Sequence, residues 1–255
     1  MSLKTSLNHT TVESNSKRKR SLEYEIRKAC LNGNLEKAME HLNDSEVLNI
    51  DELDRTKILF HALKSSDLSF VERLLEIGCN VNIMNENGRS ALYLAIHAEM
   101  FQIAELLAEN GAIYVGKRYE NYVSDISRIL HDASYEGHFQ VCKIVLENGA
   151  SVDGNTDQMS PLHFAAEDEY LDILELLIKH GANVNYRDED NITPFNGAVR
   201  YNHPEVVKTF FKLGTNLDLN IRNDYGNTAF EDTFGRRKKF ENIGKLMIYQ
   251  DHVKN

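Results

Sequence analysis

The sequence predicts an all-α solenoid, in which helix-turn-helix units stack and are joined by β-hairpin-like loops. Small residues return every 32 to 38 positions, as Ala29, Ala62, Ala95, Ala133, Ala165 and Ala198. Glycines return at nearly the same spacing, as Gly78, Gly111, Gly149, Gly181 and Gly214. Each interval holds two amphipathic helices, and a helix pair this small has too little core to offset its ordering entropy alone. The units are therefore expected to bury their apolar faces against one another.

The clearest unit begins at Met159 and Ser160. Ser160 is a favourable N-cap, and Pro161 suits the first position of a helix. A second helix follows through residues 173–177, and Gly181 is expected to end it in a left-handed conformation. This unit therefore contains a capped helix, an amphipathic helix and an extended turn.

The ends of this unit carry a resemblance to a known family. Residues 160–163 read Ser-Pro-Leu-His, which resembles the Thr-Pro-Leu-His start of an ankyrin repeat, and residues 193–196 are a weaker copy. Residues 181–185 and 78–82 resemble the Gly-Ala-Asp-Val-Asn end. On these motifs the chain is identified as a member of the ankyrin repeat family, with about six to seven repeats over residues 21–250, atypical caps included.

The terminal segments differ from the array in composition. Residues 1–20 are polar and aperiodic, which predicts a disordered tail, and residues 251–255 form a short C-terminal tail. The first tail ends in four basic residues, namely Lys17, Arg18, Lys19 and Arg20. Such a run is typical of a nuclear import signal, but it is also what a solvated charge run beside a helix looks like. We expect a cytoplasmic or nuclear protein, or one found in both compartments.

The repeats can be followed in order from an N-terminal capping pair at residues 25–42. The next repeat starts near Glu52 and lacks the usual helix cap, a more regular one starts at Asn85, and the last, from Asn223, is expected to be the C-terminal cap. Between Gly111 and Gly149 the interval is longer, and the extra residues fall at 114–122. We predict a loop there, with Tyr119 and Tyr122 either on a contact surface or packed back on the array.

Composition and charge bound the partners. The chain has a formal net charge of −10, and the array without its basic tail is more acidic still, which disfavours direct binding of nucleic acid. No apolar run is long enough for a membrane helix or resembles a signal peptide, so we expect no membrane partner. Three unclustered cysteines suit reduced thiols. A monomer that binds protein is the expectation.

Chemistry of other kinds is not predicted. The sequence lacks phosphate-cradling and hydrolase motifs, and its histidines show no zinc-ligand spacing, so no cofactor or metal is expected. The resemblance implies that His163 is the structural histidine of the helix start. Glu167 and Asp168 are expected on an open face, where burial tunes a pKa only weakly. We therefore expect no enzyme.

The resemblance also implies where a partner binds. Ankyrin repeats meet partners on their concave face, at positions just after the paired small residues and at hairpin tips. Carried over by phase, these positions are Tyr135, Glu136, Met159, Glu167, Asp168, Arg200 and Tyr201. Their aromatic and acidic character predicts a basic, partly apolar partner. A scaffold function leads, and the alternatives are an inhibitor resembling those that sequester Rel/NF-kappa-B transcription factors, and a substrate adaptor or effector that recruits a host protein.

Overall fold

The regular structure of the chain is helical. The structure, a computed structural model, describes residues 34–42, 52–82, 84–116, 122–154, 159–213 and 216–234, together with residues 21, 24–26, 28, 29, 32 and 243. The helices in these segments are α1 Leu35–Leu42, α2 Glu52–Leu63, α3 Leu68–Glu76, α4 Ala91–His97, α5 Phe101–Glu109, α6 Tyr122–Glu136, α7 Phe139–Glu147, α8 Pro161–Glu167, α9 Leu171–Lys179, α10 Pro194–Tyr201, α11 Pro204–Lys212 and α12 Ala229–Phe234. Both tails, including Lys17, Arg18, Lys19 and Arg20, lie outside the described residues.

The chain divides into two compact units, Met1–Arg118 and Tyr119–Asn255. In the first unit α2 packs on α4, and α3 packs between α1 and α5. In the second unit α6, α8, α10 and α12 form one layer, and α7, α9 and α11 form the other. The predicted helix-turn-helix arrangement is confirmed. No helix in the described segments is both long and apolar enough to cross a membrane.

The recurrent alanines explain how closely the helices pack. All six are buried, and five of them have no exposed surface. A methyl side chain lets neighbouring helices approach, because longer side chains would hold their axes apart. The recurrent alanines that predicted the fold therefore mark the positions where neighbouring helices contact one another.

Short-range signals set the ends of the helices. The Ser90 hydroxyl accepts the Tyr93 N–H at 3.1 Å at the start of α4, and Thr193 caps α10 in the same way through Asn196. Helix ends are followed by glycines with positive φ, as at Gly181 with φ 88°. A side chain there would be strained, which is why glycine stands at this phase.

Hydrogen bonds join each repeat of the second unit to the next. The Ser160 N–H donates to His163 Nδ1 at 2.9 Å, so the ring proton lies on Nε2, which donates to the Ile192 carbonyl at 3.0 Å. Ile192 belongs to the hairpin of the following repeat. Burial is the main cause that lowers the pKa of His163, which keeps the ring neutral for this role.

A second set of cross-repeat bonds recurs at the turns. Asn185 donates to the Asn216 carbonyl at 2.8 Å and accepts the Asp218 N–H at 2.9 Å. Asn82 does the same for the Gly111 carbonyl and the Ile113 N–H in the first unit. The last Asn of the Gly-x-Asn-Val-Asn motif therefore binds the following repeat.

The prediction of a loop through residues 114–122 was wrong at its end. Tyr122 is the first residue of α6, which has 15 residues against seven in α4 and in α8. Part of the insertion therefore lengthens a helix, because Ile126 and Ile129 are both buried and continue the apolar period of α6 toward its N-terminus. Residues 117–121, which include Tyr119, lie outside the described residues.

Asn196 takes the place of the bridging histidine in the next repeat. Its Oδ1 accepts the Thr193 hydroxyl at 3.0 Å, but its Nδ2 is buried without a hydrogen-bond partner among the described residues. It lines a cavity of about 320 Å³ with Asn223 and Asn227 of the following hairpin. The shorter amide side chain leaves open the space that a histidine ring crosses at His163.

Exchanging the residues at these two equivalent positions should move stability in opposite directions. Asn196→His supplies a ring that can donate to the Asn227 carbonyl, and we expect a gain of about 1 kcal/mol in the free energy of unfolding. His163→Asn removes the bridge and opens a second cavity, at a cost of about 1–3 kcal/mol. Urea denaturation of both variants measures this, and a loss of stability in Asn196→His would contradict the shared register.

Candidate functional site

Six of the sequence-predicted binding residues lie at equivalent helix ends in the second unit. They are Tyr135 and Glu136 of α6, Glu167 of α8 with its C-cap Asp168, and Arg200 and Tyr201 of α10. These three helices lie side by side in one layer, so their last turns form one surface, which we call the helix-end face. The phase carried over from the repeat therefore places these six residues together.

A residue with a left-handed backbone conformation follows the last turn of each of these three helices. Gly137, Glu169 and Asn202 have φ of 82°, 60° and 66°. The chain turns there into the second helix of the pair. In the turn that follows α10, His203 Nε2 donates to the Glu167 carbonyl at 2.7 Å. The helix-end face is thus tied to the following repeat through its backbone.

Most of the helix-end face is open to solvent. Tyr135 and Tyr201 are 60% and 52% exposed. Glu136, Asp168 and Arg200 are also exposed. Glu136 Oε2 lies 3.3 Å from His138 Nε2, so it has a local partner.

The expectation that Glu167 is an exposed acid was wrong. Its side chain is half-buried and lies against Gly197 of α10. A Cβ atom on Gly197 would stand 2.7 Å from Glu167 Oε1, so only glycine leaves room for the carboxyl group there. The position of Glu167 in its repeat predicted which side of its own helix it lies on. It did not predict that Gly197, which has no side chain, leaves space for the carboxyl group on the neighbouring helix.

Burial changes the chemistry of Glu167. It is the largest cause that raises the pKa of Glu167 to about 7, and the negative charge of Asp188 raises it further. Arg200 lowers this pKa, and Asp168 raises it. Near neutral pH Glu167 is therefore a carboxyl group shared between its charged and neutral forms, and the acidic charge of the face rests mainly on its exposed neighbours.

A second cluster adjoins the helix-end face. His131 of α6, Met159, Phe164 of α8 and the hairpin residues Asp188, Glu189 and Asp190 line a cavity of about 330 Å³. Met159, which was predicted at a hairpin tip, is half-buried and lines this cavity. His131, Phe164 and Asp188 were missed by sequence reasoning. The signal for Phe164 was an aromatic residue at a phase where Leu94 and Gly197 stand in other repeats.

The insertion tyrosines have different outcomes. Tyr114 packs back on the first unit, with its hydroxyl 2.8 Å from His97 Nε2 and its ring centroid 5.3 Å from that of Tyr93. Tyr122 starts α6, and Tyr119 lies outside the described residues. Of the two expectations for this insertion, packing on the array applies to Tyr114.

Metal ligation has no candidate in the part of the chain that the structure describes. No group of three or more His, Cys, Asp or Glu side chains there is arranged to hold an ion. Cys79 and Cys142 are buried thiols.

Replacing Glu167 should remove a pH dependence of stability. Its pKa is raised from 4.5 to about 7 by folding, so the folded state retains a proton that the unfolded state releases. This contribution to stability is complete below pH 4.5 and is lost as pH rises to about 7. Relative to the wild type, Glu167→Gln should gain stability across that range, by at most about 1.4 kcal/mol per pH unit, as one proton allows.

Urea denaturation across this pH range measures the difference. Glu147→Gln is the control, because Glu147 is exposed at the end of α7 and should give a constant difference. Gly197→Ala should displace the Glu167 carboxyl into solvent and remove the same slope. Parallel stability curves for the wild type and Glu167→Gln would refute the buried carboxyl.

Comparison with known proteins agrees with the repeat pattern. Residues 26–118 and 130–223 match a family model described as ankyrin repeats in three copies. An ankyrin repeat protein of fowlpox virus is 29% identical over 174 residues, which cover 65% of this chain and 50% of that protein. An ankyrin repeat protein of Acanthamoeba polyphaga mimivirus is 26% identical over 164 residues, covering 63% of this chain and 20% of the relative.

A longer match comes from a protein of another kind. The Caenorhabditis elegans homolog of transient receptor potential cation channel subfamily A member 1 is 26% identical over 211 residues, covering 82% of this chain and 17% of the channel. The chain therefore spans half or less of the length of these relatives. Ankyrin repeats generally mediate interactions between proteins. Because the family model matches most of the chain and the structure shows the expected helix pairs, the chain belongs to the ankyrin repeat protein family.

Proposed function

We propose that this protein is a binding module that contacts one protein partner through the helix-end face, and that the partner surface is basic and partly apolar. The observation that carries this proposal is the exposure of Tyr135 and Tyr201, two large rings at equivalent ends of α6 and α10. Exposed tyrosines on a rigid surface are typical of binding hot spots, because they bury large area at small entropic cost.

The negative charge of the helix-end face indicates that the partner surface is positively charged. Glu136 and Asp168 are exposed beside these rings, and Glu167 adds negative charge as pH rises above about 7. Arg200 is the cation of the face, and it lies close enough to Glu167 to lower the pKa of that carboxyl. Acidic groups beside apolar rings favour Lys and Arg on the partner, with the rings contributing cation-π contacts.

Rigidity supports binding at this face over a purely structural role. The bond from His203 to the Glu167 carbonyl and the bridge from His163 to Ile192 hold neighbouring repeats in register. A surface that is already ordered loses little conformational entropy on association. The narrower function of sequestering a transcription factor requires the same surface, because the nuclear signals of such factors are basic.

Peptide selection tests the proposal without a known partner. We expect a displayed random peptide library, selected on the folded full chain, to enrich peptides with net positive charge and at least one aromatic or aliphatic residue. Replacing Glu136 and Asp168 by Lys should weaken the selected peptides at least tenfold, about 1.4 kcal/mol, while the melting temperature stays nearly constant. Binding should also weaken as salt rises.

A matched variant separates local from overall charge. Glu147→Lys with Asp172→Lys makes the same change in net charge on α7 and α9, away from the helix-end face, and should leave binding within about twofold apart from the screened long-range term. Enrichment of acidic peptides, or equal weakening by the two double variants, would refute binding at this face.

A further inference from the structure

The cavity beside the helix-end face joins two kinds of wall. One wall is formed by His131, Met159 and Phe164, and the other by Asp188, Glu189 and Asp190 of the hairpin that follows α9. Its volume of about 330 Å³ is at the lower end of ligand-binding pockets, so it suits one side chain or a small group. We infer that this cavity receives an arginine side chain of the protein partner. The inference rests on the proposed function and specifies one contact within it.

The apolar wall is an ordered aromatic surface. The Phe164 ring meets the His131 ring at 4.8 Å and an interplanar angle of 88°, and the Tyr135 ring at 5.3 Å and 75°. Two edge contacts of this kind fix the orientation of a ring, which then needs no reordering to accept a ligand. Met159 adds a polarizable thioether that adapts to the shape of a bound group.

The acidic wall is held by its own turn. Asp188 Oδ1 accepts the N–H groups of Asp190 and Ile192 at 3.0 and 2.8 Å, which shapes the hairpin. Glu189 and Asp190 are exposed at its tip. No salt bridge among the described residues engages any of these three carboxylates, and Arg187, which precedes them, does not line the cavity.

The like charges of this wall act on their surroundings. Asp188 is one of the groups that raise the pKa of Glu167, so added negative charge is unfavourable here and a cation would relieve it. An anionic ligand would be repelled by the three carboxylates, and a neutral apolar ligand would gain nothing from their charge. The chemistry of the cavity therefore selects a cation.

The two walls together favour arginine over lysine. A guanidinium group is planar, so it can stack on the Phe164 ring while its N–H fork bonds to a carboxylate at its edge. A lysine ammonium group is more strongly hydrated and carries a compact charge. It can pair with the acidic wall, but it binds the aromatic wall less favourably than a stacked guanidinium does. The aliphatic part of the arginine side chain would lie along Met159 and Phe164.

Titration of the whole 255-residue chain with short peptides tests this inference. The probe is acetyl-Gly-Arg-Gly-amide, and the reporter is the methyl signal of Met159 in protein labelled with ¹³C-methyl methionine, assigned by its absence in Met159→Leu. We expect a saturable shift of that signal with a millimolar dissociation constant, because one side chain buries little area. The lysine peptide should bind at least about threefold more weakly, and the citrulline peptide, which keeps the shape without the charge, should give no saturable shift.

Variants locate the contact. Glu189→Gln with Asp190→Asn removes charge from exposed positions without a change in shape, and should weaken arginine binding at least about fivefold. Phe164→Leu should reduce the preference for arginine over lysine, because it keeps an apolar wall and removes the ring. Glu147→Gln is the control and should leave the titration unchanged.

Three results would overturn the inference: no saturable shift of Met159 at roughly 10 mM peptide, equal binding of the arginine and citrulline peptides, or equal binding of the arginine and lysine peptides. If any of these occurs while selected basic peptides still bind and still weaken with Glu136→Lys and Asp168→Lys, the arginine site is refuted and the proposed function stands. If the selected peptides do not respond to that charge reversal either, both are refuted.

Discussion

The hydrogen bond from His163 Nε2 to the Ile192 carbonyl is the contact on which the second unit most depends. It starts in a buried helix turn, where the Ser160 N–H fixes the tautomer, and it ends in the hairpin of the next repeat. A pair of short helices has too little core to be stable alone, so its order comes from neighbours. This bond sets the register in which those neighbours meet, and the alanines that let helices approach act within that register.

The same contact places the candidate site. The hairpin whose Ile192 carbonyl accepts the hydrogen bond from His163 also carries Asp188, Glu189 and Asp190. The bond that joins the repeats therefore positions the acidic wall of the cavity. In the following repeat Gly197 lies against Glu167 and makes the room in which that carboxyl is buried. Exposed residues and packing residues alternate along the same helices, which is why the exposed rings stand on an ordered surface.

Periodic sequence signals predicted the fold because they record contacts repeated in every unit. The positions of Ala165 and Gly181 gave the helix interface and the helix end, and the phase of Tyr135 and Tyr201 gave two exposed residues on one face. Departures from the period were harder to predict. The burial of Glu167 depends on a glycine 30 positions later, and the cavity at Phe164 needs side chains from three separate segments. The length of α6 was not predicted, because the longer interval between Gly111 and Gly149 was assigned to a loop. Part of that interval instead forms additional turns at the start of α6.

Amide hydrogen exchange in His163→Asn tests most directly whether the cross-repeat bond holds the site. The N–H groups of Asp188, Asp190 and Ile192 bond within the hairpin that His163 reaches, and the Arg89 N–H bonds to Asn85 in a hairpin of the first unit. We predict that the variant raises exchange at the three hairpin amides at least tenfold, about 1.4 kcal/mol, while exchange at Arg89 changes little. Unchanged exchange at Asp188, Asp190 and Ile192, or an equal rise at Arg89, would contradict this account.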